Sequence, residues 1–280
     1  LRRFKNRELL RIAYGDWIRE LPLETTVKQL TGLAEVISQV GLDYCLTTAE
    51  KKFGWPTRSN GKPVCFSLLA FGELAGECLS FEEPLEITGI FDHDGNTTGP
   101  RRIAAQEFFG RALADLLALL SDDNPEGIAY RLKFNREASA GRHTSCSQIA
   151  FTSHYDHHGQ AWDRLQLIRC RPIAGDLNLG QRTLDSLQAW IFPRYITAVD
   201  LAEFHSLRPR LQAGSREESV LVNIREAPGG IAEIEFTIQY LQLRAGNQIP
   251  TLRTPSFFES IRQLADHQLL NDQEKTILLR

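Results

Sequence analysis

Apolar positions recur every three or four residues over the first fifty residues, which is the spacing of one face of an α-helix. The first such stretch ends near Pro22, and the second runs from about Thr26 to Lys52. The second stretch is defined by Val27, Leu30, Leu33, Val36, Ile37, Val40 and Tyr44. The chain is therefore predicted to begin with two amphipathic helices.

The apolar pattern changes after Pro63. Residues 64–71 form a short apolar run followed by Gly72, and residues 85–91 alternate before a turn-forming cluster, so both are predicted strands. Residues 101–120 have helical spacing, and residues 127–134 are typical of a third strand. Strand, turn, strand, helix and strand in this order predict a small α/β core.

From about residue 161 to the end the apolar pattern again predicts helices, although residues 165–168 fit a helix or a strand. Gly229 and Gly230 precede one predicted helix. Two more begin at pairs with capping-box spacing, Ser256 with Glu259 and Asn271 with Glu274. We predict an α+β protein with a helical arm at 1–62, an α/β core at 63–150 and a helical bundle at 151–280.

The composition of the chain argues against two classes of protein, nucleic-acid binders and membrane-spanning proteins. The 280 residues include 32 Lys and Arg against 35 Asp and Glu, for a formal net charge of −3. This balance argues against a nucleic-acid partner, because phosphate binding by a broad surface needs excess basic residues. Since no run approaches the ~18 apolar residues of a membrane span, we expect no membrane-spanning role.

The five cysteines are widely spaced and form no CxxC pair; they are Cys45, Cys65, Cys78, Cys146 and Cys170. This usage predicts a reducing, cytoplasmic location. The first residues lead straight into an amphipathic segment, so no signal peptide is expected. Because the sequence starts with Leu1 and holds no methionine, we expect it to be a fragment of a longer protein.

A strand, a glycine-containing turn and a second strand with acidic residues are the layout of a nucleotidyltransferase core. Such a site needs carboxylates on adjacent strands to hold divalent metal ions against phosphate oxygens. Its glycines let the backbone approach a phosphate closely. The candidates in this layout are Gly72 and Gly76 in the turn and Glu82, Glu83 and Glu86 around the second strand.

Several ordered segments resemble the bifunctional glutamine synthetase adenylyltransferase/adenylyl-removing family. They are residues 1–13, 107–109, 160–165, 169–176, 192–196 and 228–243, and they extend over nearly the whole chain. The run at 228–236, with Gly229 and Gly230, is the most specific. The details are closest to the N-terminal, adenylyl-removing half of that family.

The resemblance implies a fold like that of DNA polymerase beta, with a small mixed sheet in a mostly helical protein. It also implies regulation of nitrogen metabolism, with AMP attached to a glutamine synthetase tyrosine from ATP or removed by phosphorolysis to give ADP, and with Mg²⁺ required. Glutamine synthetase, the PII signal protein and a second catalytic half on the same chain are the implied partners. The resemblance further implies nucleotide contacts by Gly72, Gly76, Arg131, Gly229 and Gly230.

The active-site motif departs from the family pattern. Where the family has two metal-binding aspartates, this chain has Pro84 and Glu86, and Arg131 occupies the place of the third carboxylate. Two like unit charges ~4 Å apart repel by roughly 4 kcal/mol at an effective dielectric constant near 20, and a divalent ion doubles this. Catalysis is therefore predicted to be impaired, with Glu86 as the remaining metal-ligand candidate and a shifted Glu82 or Glu83 as the alternative ligand.

Each candidate also has a purely structural interpretation. The acidic group at 82–86 is also typical of a solvated sheet edge, which we favour. The HxxHH pattern at 154–158 lacks the context of a zinc site, and the residues at 92–96 are more typical of a turn than of a calcium loop. The pair at 229–230 also fits a tight turn before a helix. Two functions thus stay open: an adenylyl-transferring or adenylyl-removing enzyme, and a non-catalytic docking module of the same family.

Overall fold

The computed structural model describes residues 1–121, 127–133, 145–204, 224–225 and 227–279. The helices are α1 Arg2–Arg19, α2 Leu23–Phe53, α3 Gly72–Ala75, α4 Ala105–Leu120, α5 Gln148–His158, α6 Ala161–Ile168, α7 Leu177–Ile191, α8 Ile231–Ala245, α9 Phe257–Asp266 and α10 Asp272–Leu278. Residues 198–204 are also helical. The strands are β1 Pro56–Thr57, β2 Phe66–Phe71, β3 Leu85–Phe91, β4 Asn96–Thr97, β5 Leu132–Lys133, β6 Ser145–Ser147 and β7 Cys170–Gly175. In these ranges no helix is both long and apolar enough to cross a bilayer.

The chain divides into two compact units. The first contains Leu1–His157 and Cys170–Ser186, and the second contains His158–Arg169 and Leu187–Arg280. These bounds differ from the predicted divisions after residues 62 and 150. The first difference arises because α2 packs against α4 and β7, which joins the predicted arm to the core. The second arises because β7 lies in the same sheet as β2 and β3.

The first unit is built on a mixed sheet in the order β5–β3–β2–β7, with β6 also pairing with β3. β2 runs antiparallel to β3 and β7, whereas β5 and β6 run parallel to β3. All six residues of β2 are buried. Such a continuous apolar run is typical of a central strand covered on both faces. The small mixed sheet among helices confirms the predicted α+β class.

The aromatic side chains of α4 form the centre of this core. Phe109 stacks on Phe66 and on Phe91, with ring centroids 4.9 and 5.6 Å apart. Trp55 packs edge-on against Phe108 at 5.6 Å. Because β3 has a glycine at position 89, the Phe66 ring fits against its backbone; a Cβ there would lie 2.5 Å from the ring. The helix therefore packs directly onto β2 and β3.

Several predicted elements differ in the structure. Cys170–Gly175 was predicted to be helical, and this was wrong: it is a strand, because Pro172 breaks a helix interior and the segment completes the sheet beside β2. The predicted strand at 127–134 is reduced to β5 and a single bridge at Tyr130, while residue 134 lies outside the described ranges. The ambiguous residues 165–168 belong to α6. The predicted stripe of α2 is buried only in part, since Val36, Val40 and Tyr44 are exposed.

The described residues of the second unit are mainly helical, as predicted. The capping box of Asn271 and Glu274 is confirmed at the start of α10, with the Glu274 amide 2.9 Å from the Asn271 side chain. Ser256 is the N-cap residue of α9, but its side chain makes no capping hydrogen bond, so that capping box was wrong. Helices α8, α9 and α10 pack around Ile238, Leu252, Ile261 and Leu264.

A partly buried charge pair lies within the second unit. The Arg164 guanidinium lies 3.1 Å from the Asp200 carboxylate and above the Trp190 ring. Burial raises the pKa of Asp200, but hydrogen bonds from Thr197 and the Arg164 charge outweigh burial and leave this pKa below its usual value. The ionised carboxylate therefore stabilises the folded unit.

Candidate functional site

The predicted turn glycine and one predicted carboxylate lie together where β2 ends. Phe71, the last residue of β2, pairs with Glu86 of β3, and Gly72 follows with a φ of +59°. A Cβ on Gly72 would lie 3.5 Å from the Glu86 Oε2 atom. The positive φ is accessible at little cost only to glycine. Gly72 thus turns the backbone past the Glu86 carboxylate, as the core layout requires.

Arg171 of β7 holds α3, the short helix that begins at Gly72. Its Nε donates to the Ala75 carbonyl at 2.9 Å, and its Nη2 donates to the Leu74 carbonyl at 3.1 Å. The same guanidinium forms an ion pair with Glu35 of α2. The Gly76 amide closes the turn on the Gly72 carbonyl at 2.8 Å. Arg171 therefore ties the turn to α2 and β7, a role that the helical prediction for its segment concealed.

Cys170 is the β7 residue that pairs with Phe71 at the same site. Phe71 pairs with Glu86 on one side and with Cys170 on the other. Burial raises the pKa of the Cys170 thiol well above its usual value, and the Glu86 charge raises it further. The thiol is consequently protonated, and Cys170 behaves as a small apolar residue rather than a nucleophile.

The other predicted carboxylates lie in the loop before β3. The Glu82 side chain is 92% exposed, and its Oε2 is 4.0 Å from the Arg131 guanidinium. Arg131 also donates to the Glu82 backbone carbonyl, while its own carbonyl accepts from the Leu85 amide at 2.8 Å. Glu83 is half-buried, and Pro84 contributes neither a ligand atom nor an N–H. Arg131 thus lies immediately beside the start of β3.

This donor set does not fit the divalent metal site that the resemblance implies. Among the described residues, no group of three His, Cys, Asp or Glu side chains is close enough to hold a metal ion. The HxxHH pattern lies on α5, where His157 contacts the Ser153 carbonyl of its own helix at 2.9 Å. In the segment at 92–96, which was compared with a calcium loop, the Asp92 carboxylate accepts hydrogen bonds from the Arg58 guanidinium and the Cys65 amide.

Gly229 and Gly230 belong to the second unit and form the start of α8. The Gly229 amide donates to the Glu233 carboxylate at 2.6 Å. The amides of the first helical residues, 231 and 232, donate to the carbonyls of residues 224 and 225 at 3.3 and 3.1 Å. Neighbouring backbone and side-chain groups thus cap this helix. Nucleotide contact by these glycines stays a prediction.

Comparison with known proteins adds the following similarities. A family model described as glutamate-ammonia ligase adenylyltransferase matches residues 1–186, and one described as GlnD PII-uridylyltransferase matches residues 202–280. Relatives named bifunctional glutamine synthetase adenylyltransferase/adenylyl-removing enzyme include those of Shewanella frigidimarina, 28% identical over 94% of this chain, and Xanthomonas axonopodis pv. citri, 27% identical over 94%. The Vibrio parahaemolyticus relative is 28% identical over 98%. The chain spans 28% of the length of the first two relatives and 29% of the third.

Proposed function

Because the matched family model covers residues 1–186, the chain belongs to the glutamate-ammonia ligase adenylyltransferase family, and we propose that it is a catalytically impaired domain of that family. Its proposed role is cytoplasmic regulation of glutamine synthetase, together with a PII signal protein and a second catalytic half on the same chain. The relatives' names, which state both an adenylyltransferase and an adenylyl-removing activity, support the synthetase as partner.

The position of Arg131 carries the proposal of impairment. Its backbone pairs with the start of β3, the strand that bears Glu86, and its side chain binds the Glu82 loop. The Arg131 guanidinium would repel a divalent ion bound beside Glu86, and because its side chain is 57% exposed, solvent weakens this repulsion. Glu86 has no second carboxylate on β3 to share the metal with it, because Pro84 adds no ligand. Metal-assisted transfer of AMP, with ATP or ADP as nucleotide, is therefore proposed to be lost or severely weakened.

The alternative is a non-catalytic docking module that binds glutamine synthetase or a partner catalytic domain. Exposed apolar side chains on the first two helices favour this alternative. Trp17 is 75% exposed and Leu10 is 72% exposed on α1, and Tyr44 is 66% exposed on α2. Clusters of exposed apolar side chains are typical of protein-binding surfaces.

Calorimetry with ATP and ADP, with and without Mg²⁺, tests the first proposal. We expect no Mg²⁺-dependent heat for the natural sequence and recovery of Mg²⁺-dependent binding in the Pro84→Asp/Glu86→Asp/Arg131→Asp variant. Micromolar Mg²⁺-dependent binding by the natural sequence, followed by phosphorolysis of adenylylated synthetase, would overturn impairment.

Binding to purified glutamine synthetase tests the docking alternative. We expect the natural chain to bind and Trp17→Ser to bind more weakly, whereas substitution of the exposed Ile277 on α10 serves as a matched control. Equal binding by both variants would refute a docking role for α1.

A further inference from the structure

A polar cleft of about 540 Å³ lies beside the small sheet of β1 and β4 in the first unit. This volume falls within the roughly 300–1,000 Å³ of small-molecule sites. The cleft adjoins the end of β3, whereas Gly72 and Glu86 lie at the opposite end of the β2–β3 pair. Six strand residues separate the two ends, which corresponds to roughly 20 Å. The cleft is therefore distinct from the candidate nucleotide site.

The walls of the cleft are held by backbone contacts. β1 and β4 approach so closely at Gly95 that a Cβ there would lie 2.3 Å from the Thr57 carbonyl oxygen. The Thr97 amide donates to the Ile103 carbonyl at 2.9 Å, and the Thr97 hydroxyl accepts from the Ile103 amide at 3.0 Å. A preformed cleft of this kind loses little conformational entropy when a ligand binds.

A buried carboxylate fixes one cation of the cleft in place. The Arg58 guanidinium donates to Asp92, which is 7% exposed and also accepts from the Cys65 amide at 3.0 Å. Within the described ranges, the Asp92 carboxylate is the only group that accepts a hydrogen bond from the Arg58 side chain. The Arg58 Nε atom is buried and has no acceptor in these ranges. A guanidinium carries five N–H donors, and a buried donor without an acceptor costs free energy. Arg58 is therefore an oriented guanidinium at the wall of the cleft.

Arg102 supplies a second guanidinium to the same cleft, and Ser59 supplies a hydroxyl. Asp94 is the carboxylate of the lining and Asp92 pairs with Arg58, so the two guanidinium charges are matched by two carboxylates. Recognition of an anion here rests on hydrogen-bond donors rather than on net charge. Guanidinium groups match phosphate oxygens with paired N–H donors. We propose that this cleft binds the phosphate group of a small phosphorylated molecule or free phosphate.

The proposal is tested by calorimetry on the whole chain with three probes: inorganic phosphate, glycerol 3-phosphate and malonate. We expect both phosphate probes to bind and malonate to bind at least about tenfold more weakly, a difference of about 1.4 kcal/mol. Stronger binding of glycerol 3-phosphate would identify an organic phosphate as the source, and equal binding would identify free phosphate. Equal binding of malonate would overturn phosphate recognition.

Two neighbouring arginines provide a matched pair of variants. Arg102→Gln removes a lining cation, and we expect it to weaken phosphate binding at least about tenfold. Arg101→Gln removes the same charge from a side chain that lies over the Phe53 ring and outside the cleft lining, so binding should stay within about twofold. An equal loss in both variants, or no heat from phosphate up to about 10 mM, would refute the site.

Discussion

Arg171→Ala should loosen the turn that carries Gly72 without unfolding the sheet. The guanidinium donates to two carbonyls of α3, at 2.9 and 3.1 Å, and pairs with Glu35. Hydrogen bonds to a charged group contribute about 1.5–3 kcal/mol each. Since the Arg171 side chain is only 19% exposed, solvent replaces these bonds poorly. We expect a local loss of about 3 kcal/mol, or roughly a 100-fold larger opening constant.

Hydrogen exchange followed by mass spectrometry measures this directly on a peptide covering residues 72–79. The Gly76 and Cys78 amides, which bond to the Gly72 and Glu73 carbonyls at 2.8 and 3.0 Å, report opening of the turn. Arg111→Ala is the control, because its ion pair with Glu107 is exposed on α4 and contributes little. Unchanged hydrogen exchange at residues 72–79 in Arg171→Ala would refute a stabilising role for the contacts of Arg171 with α3.

Three further predictions concern stability and reactivity. Gly89→Ala should lower stability by about 1–3 kcal/mol in thermal unfolding, because its Cβ would meet the Phe66 ring, whereas Gly32→Ala in an open helical position should not destabilise. The lowered pKa of Asp200 adds stability above its unfolded pKa of about 3.9 that is lost as the pH falls through the folded pKa. Acid unfolding of Asp200→Asn should therefore be less steep than that of the natural chain, and equal steepness would contradict this. Burial raises the pKa of the Cys146 thiol to about 12. Labelling of Cys146 at pH 8, followed on its peptide by mass spectrometry, should therefore be roughly 1,000-fold slower in the native chain than in urea.

Local sequence signals predicted those elements that depend on neighbouring residues. The apolar spacing of α2 and α4, the alternation in β3 and the capping pair at 271 and 274 all correspond to observed elements. Strand β7 was missed because its stability comes from pairing with β2, about a hundred residues earlier in the chain. The short β6 was missed for the same reason, since it pairs with β3.

The candidate site likewise combines local features that the sequence indicates with contacts that depend on strand pairing. The predicted strand, glycine turn and strand are present, and in the structure Gly72 lies beside Glu86, because adjacent antiparallel strands bring the end of one to the start of the next. The contacts of Arg131 with the Glu82 loop required the parallel pairing of β5 with β3. Arg171 and Cys170 entered the site only through β7.

The sequence by itself determined the family resemblance, the helix and strand types of most segments and the replacement of the expected carboxylates by Pro84 and Arg131. These depend on residue identity and on spacing within a few turns of chain. The tertiary structure decided which charges meet: Arg171 with the carbonyls of α3, Arg131 with Glu82, and Arg58 with the buried Asp92. Electrostatic and hydrogen-bond energies fall steeply with distance, so they depend on strand pairings that sequence periodicity does not specify.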